Sequence, residues 1–119
     1  MNGIKYLLDT NIIIGMYQHS PAVIDLMQAK RVHIGQCAYS AITRMELLSF
    51  PGITPTEETA IHALLNRMAR LSITEDVEEQ AIRFRRRHKT KLPDSIIGAT
   101  ASFHDLELLT MDKQLQAKL

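Results

Sequence analysis

In the stretch LLDTN, residues 7 to 11, Asp9 closes an apolar run and is followed at once by Thr10 and Asn11. A carboxylate at the end of a run destined for burial must find a partner, because an unpaired buried charge is expensive. Three further acids stand beside patterned segments: Glu46 in SAITRMEL, Asp94 in LPDSIIGATA and Asp112 in LLTMD. Carboxylates that converge repel one another and raise each other's pKa values unless a cation neutralises them. Ligands that are all oxygen suit a hard divalent ion, Mg²⁺ or Mn²⁺, which keeps part of its water and leaves room for phosphate oxygens. Such a site supports metal-assisted phosphodiester hydrolysis, with the ion activating water and offsetting charge on the phosphate. Zinc has no comparable claim, since the one cysteine, Cys37, and the five histidines show no ligand spacing.

The elements that must position these acids follow from periodicity and punctuation. Ile4 to Asp9 reads as a first strand of the doubly covered kind. After Asn11 the chain turns into a helix through IIIGMYQ, and Ser20 with Pro21 opens a second helix, PAVIDLMQAK. Val32, Ile34 and Gln36 share a face by period-two spacing, so Arg31 to Ala38 is expected to be the second strand. Ser40 opens the next helix, with Ile42, Met45, Leu48 and Ser49 at helical spacing until Pro51 and Gly52 end it. Thr54 and Glu57 form a capping box for a helix expected to reach Leu71, its stripe being Ile61, Leu64, Leu65 and Met68.

Leu71 to Ile73 is the expected third strand, after which Thr74 caps TEDVEEQAIRFRRRHK, with Val77, Ala81 and Phe84 inward. Pro93 takes the first position of a helix with Asp94 in its first turn. Leu106 to Thr110 is the fourth strand, and Asp112 caps a last helix, DKQLQAKL. Strands alternating with helices imply a parallel sheet covered on both faces, whose functional crevice lies beyond the carboxyl ends of the strands. If the first and fourth strands are neighbours, the four acids meet on one rim.

At 119 residues, 45% hydrophobic and 23% charged, the chain is expected to be one domain, residues 1–119, without a linker. A single cysteine excludes an intramolecular disulfide and suits a reducing compartment. No apolar stretch approaches the roughly 20 residues that span a bilayer, and Met1 to Leu8 lacks a cleavage region, so a cytoplasmic protein is expected. A net charge of +1 neither favours nor excludes a nucleic-acid partner.

The four pieces LLDTN, SAITRMEL, LPDSIIGATA and LLTMD, in this order, resemble PIN-domain ribonucleases, specifically the VapC type of toxin from type II toxin-antitoxin systems. The resemblance implies a three-layer α/β/α fold around a central parallel sheet of about four strands. It also implies catalytic, metal-holding acids at Asp9, Glu46, Asp94 and Asp112, with Thr10, Asn11, Thr43 and Thr110 as supporting polar groups. Asn11 is the one of these expected to touch the metal-bound water. An RNA substrate, a cognate antitoxin and homodimerisation follow from the same resemblance. The chain departs from the family pattern at Met111 and Leu115, on either side of Asp112, and leaves little room for the fifth strand that many relatives add.

RFRRRHKTK, just before Asp94, carries Arg83, Arg85, Arg86, Arg87, Lys89 and Lys91. Cations in a last helical turn complement the dipole, but this density beside an acidic crevice also suits phosphates flanking a scissile bond. The alternative is a catalytically inactive PIN-like binding module, in which Glu46 or Asp112 fails to reach the site. A phospho-accepting receiver domain is disfavoured, because Asp9 lacks an acidic neighbour and LLT ends without lysine.

Overall fold

The structure is a computed structural model that describes residues 3–119. The reading of Met1 to Leu8 therefore falls partly outside the described residues. Four short strands, β1 (Tyr6–Leu8), β2 (Cys37–Ser40), β3 (Ala69–Leu71) and β4 (Glu107–Leu109), form one parallel sheet in the order β3-β2-β1-β4. The first and last strands are thus neighbours, with Tyr6 opposite Glu107 and Leu8 opposite Leu109. The helices are α1 (Thr10–Tyr17), α2 (Pro21–Ala29), α3 (Ala41–Leu48), α4 (Pro55–Leu65), α5 (Glu75–His88), α6 (Leu92–Phe103) and α7 (Lys113–Gln116). Among the described residues no helix is long and apolar enough to cross a membrane.

Strand parity divides the core into two layers. Leu8, Cys37, Tyr39 and Leu109 face one side and meet Ile12, Ile13, Val23, Leu47, Ile61 and Leu65 from α1 to α4. Leu7, Ala38, Leu71 and Leu108 face the other side and meet Ile97 and Ala101 of α6 and Leu115 of α7. The fold is therefore three layers, α/β/α, around a central parallel sheet. Alternate side chains of each strand enter opposite layers, so both faces exclude water.

Double burial explains where the expected elements move. All four residues of β2 are buried, so the strand is read from continuity; the alternating Val32, Ile34 and Gln36 belong to the preceding loop and a 3₁₀ turn at Ile34–Gln36. The strand expected over Arg31 to Ala38 begins only at Cys37. Helix α4 ends at Leu65 rather than Leu71, because Ala69 and Leu71 are needed opposite Ala38 and Ser40 in β3. On α3 the inward residues are Ala41, Thr43 and Leu47, whereas Met45 is 49% exposed.

Caps behave largely as expected. Thr54 and Glu57 exchange both capping-box bonds at 3.1 Å, Thr74 caps α5 through the Val77 amide and Ser40 caps α3 through the Ile42 amide. Ser20 makes no side-chain cap bond, leaving Pro21 to start α2. Helices α1 and α2 touch at Gly15, where an added Cβ would sit 2.3 Å from Val23 Cγ2 and 2.9 Å from its Cβ. Gly15→Ala is therefore expected to destabilise the fold by about 1–3 kcal/mol, against the usual helix-propensity gain of about 1 kcal/mol. Urea unfolding followed by circular dichroism measures this directly.

Candidate active site

The carboxyl ends of β1 and β4 lie side by side, and the ladder continues one step past the strands, with the Asp9 amide donating to the Leu109 carbonyl at 2.9 Å. Asp9 is also the N-cap of α1, and its side chain is only 5% exposed. Three donors satisfy it. The Thr10 amide donates to Oδ1 at 2.8 Å, while the Thr110 hydroxyl and the Asn11 side-chain amide donate to Oδ2 at 2.7 and 3.2 Å. A charge this deeply buried is tolerable because each oxygen accepts at least one hydrogen bond.

The same donors join the two corners. Thr110 Oγ1 accepts the Asp112 amide at 3.0 Å, and Asn11 Oδ1 accepts the Met111 amide at 3.1 Å. Asp112 in turn caps α7, its Oδ1 accepting the amides of Gln114 and Leu115 at 3.0 and 3.1 Å. Both ends of the Asn11 amide are engaged by the protein, as a brace between the β1–α1 and β4–α7 corners.

Asp94 enters from a third element, the first turn of α6, and is partly buried. Its pKa is raised, first by desolvation and then by the charges of Asp9 and Asp112; Lys91 and Lys118 offset part of this. Three carboxylates that sequence places far apart therefore act on one another at one rim. Glu46, exposed on α3, reaches the rim indirectly. Its Oε1 accepts the Thr10 hydroxyl at 2.7 Å, and that hydroxyl lies 3.1 Å from the fully buried hydroxyl of Thr43.

The donor chemistry, carboxylate oxygen throughout, fits a hard divalent cation. Among the described residues, however, no three acids, histidines or cysteines are gathered closely enough to enclose an ion by themselves.

Helical spacing splits the basic run between two faces. Arg83 and Arg87 line a groove beside α6 and β4, whereas Arg85, Arg86 and Lys89 line a separate hollow with Thr90 and Leu92. Arg85 also donates through Nε to the Thr90 carbonyl at 3.3 Å. Lys91 is drawn to Asp94 by position, three residues before it, and by charge. Lys118 joins the site although nothing in DKQLQAKL marked it; only the return of the chain after α7 brings it near.

The PIN domain family profile matches residues 6–118. Among solved structures, a toxin-antitoxin complex from Klebsiella pneumoniae aligns over 91% of this chain and 87% of its own, at 32% identity and a TM-score of 0.79. FitAcB from Neisseria gonorrhoeae aligns over 95% and 91%, at 24% identity and 0.77. VapBC2 from Rickettsia felis, bound to a DNA fragment from its promoter, aligns over 96% and 92%, at 16% identity and 0.77. These last two show shared fold. No match is found among curated proteins.

The raised pKa of Asp94 has a sign that melting experiments read. Its charge is less favourable folded than unfolded, so metal-free stability falls as pH rises from the ordinary aspartate value of 3.8 through the raised one, and the penalty persists above. Asp94→Asn is expected to melt above wild type in chelator at neutral pH, with the gap closing below 3.8. Divalent cation should raise the melting temperature of wild type more than that of the variant.

Proposed function

The chain belongs to the PIN domain family, and on that basis we propose that it is a divalent-metal-dependent endoribonuclease, the toxin of a VapC-type toxin-antitoxin pair acting in the cytoplasm. The observation that carries this reading is the convergence of Asp9, Asp94 and Asp112, in which two of the charges oppose ionisation of the third. A fold that holds carboxylates together against their repulsion is arranged for a cation. The toxin-antitoxin complex of the Klebsiella relative supports a cognate antitoxin as partner, and a second copy of this chain is the other proposed partner.

Asp9, Asp94 and Asp112 would hold Mg²⁺ or Mn²⁺, with Glu46 at the margin. When bound, the ion supplies a water of lowered pKa and offsets charge on the phosphate under attack. The chain's own groups orient and neutralise. Asp9 is fixed by Thr10, Asn11 and Thr110 before any substrate arrives, so its carboxylate needs no reorganisation. Glu46 Oε1 is held by Thr10, which leaves Oε2 as the oxygen that would accept a proton in the reaction. Lys91 and Lys118, both within electrostatic reach of Asp94, attract the phosphate's negative charge to the rim.

One observation favours the second reading, a PIN-like binding module without catalysis: Asp112 Oδ1 is already committed to capping α7. Cleavage of total cellular RNA by the purified, partner-free protein separates the two. Wild type is expected to cut at discrete sites with Mg²⁺ or Mn²⁺ and not with chelator, and Asp9→Asn or Asp94→Asn should reduce cutting by at least ~100-fold. A folded, metal-supplied wild type that leaves RNA intact establishes the binding module instead. Thr110→Val, which removes a bond to Asp9 and the acceptor for the Asp112 amide, should retain cleavage but lower it roughly 10–100-fold.

A further inference from the structure

A groove of about 670 Å³ runs along α5 beside α6, the start of β4 and the residues after α7. Arg83, Phe84, Arg87 and His88 line it from α5, three and four residues apart and hence on one face. The rings of Phe84 and His88 pack against each other with centroids 4.5 Å apart, tilted by 51°. Phe84 rests on Gly98 of α6, where an added Cβ would come within 2.9 Å of the ring tip. The missing side chain lets the half-buried aromatic lie low against the core.

Arg87 and His88 close α5 only three residues before α6 begins with Asp94 in its first turn, so this end of the groove lies towards the carboxylate rim, whereas Asp105, Leu106 and Glu107 line its far end at the start of β4; Lys118 lines the groove from the residues after α7. Among the described residues Arg83, Arg87 and Lys118 form no salt bridge. Of the acids lining the groove, Glu107 is paired with Lys30 at 2.7 Å, leaving Asp105 to oppose the three cations. The opposite face of α5, with Arg85, Arg86 and Lys89, offers a hollow without an aromatic.

Resting on the nuclease reading, we infer that this groove holds the single-stranded RNA flanking the scissile bond, its phosphates on Arg83, Arg87 and Lys118 and a base against the Phe84–His88 pair. Guanidinium groups suit phosphate oxygens geometrically, and aromatic faces bind unpaired bases irrespective of sequence. The basic run thus divides by function: one face of α5 directs the strand, while the other serves solubility and the helix dipole.

The test measures binding of a fluorescent single-stranded oligoribonucleotide in chelator across a salt series, alongside cleavage of total RNA with Mn²⁺. Arg83→Ala with Arg87→Ala should weaken binding at least ~10-fold at low salt and make the log–log salt slope shallower by roughly 1.4, the loss of two phosphate contacts on a single strand. A charge-matched control, Arg67→Ala with Arg70→Ala, on exposed positions after α4 and in β3, should bind like wild type. Wild-type cleavage combined with an unaltered slope for the Arg83 and Arg87 variant, or with an equal loss for Arg85→Ala with Arg86→Ala, overturns the groove assignment and leaves the nuclease reading standing. A wild type that neither binds nor cuts RNA removes both.

Discussion

The buried charge of Asp9 is the constraint on which the rest of the structure depends. A carboxylate at 5% exposure is tolerable only if each of its oxygens accepts a hydrogen bond, and the donors come from Thr10 and Asn11 on one corner and Thr110 on the other. Satisfying that charge requires β1 and β4 to be adjacent and in register, with Leu8 opposite Leu109. It also fixes the direction in which α1 and α7 leave the sheet, since Asp9 and Asp112 cap those helices. Electrostatic need and chain topology are therefore one requirement at this rim.

Around this anchor the rim carries a deliberate conflict. Asp94 sits in the first turn of α6, where the helix dipole favours an anion, yet Asp9 and Asp112 make its ionisation harder. Lys91 and Lys118 relieve part of the repulsion without forming a close ion pair with any of the three acids among the described residues. Cations held at a distance temper the field without occupying the carboxylate oxygens. Close ion pairs would have stabilised the resting protein and blocked the same oxygens.

Much of this was legible in the sequence, for reasons that also explain the failures. Helix starts were marked by local chemistry, as at Thr54, Thr74 and Asp112, where a side-chain oxygen and the amides it caps lie within a few residues. The need for a partner at Asp9 was visible because a lone acid ends an apolar run. The position of β2 was not, since CAYS is buried on both faces and shows no alternation, while the alternating residues before it serve a loop and a 3₁₀ turn. The end of α4 depended on pairing of Ala69 with Ala38, a contact outside any local window. Asn11's bracing role and Lys118's place at the rim are likewise products of tertiary return, invisible until the last strand is set beside the first.

The strand order β3-β2-β1-β4 places the first strand of the chain against the last. Thr110 and Asp9, 101 positions apart, share a hydrogen bond that neither corner can replace locally. During synthesis the N-terminal half emerges first and can build the β1–β2 pair, but Asp9 then lacks the Thr110 hydroxyl and the rim lacks Asp112. The carboxylate site is thus closed by the longest-range contacts in the sheet, the kind whose sequence separation slows folding. Along the chain the scaffold and most of the basic residues precede β4, and the acid rim is complete only once β4 has docked beside β1.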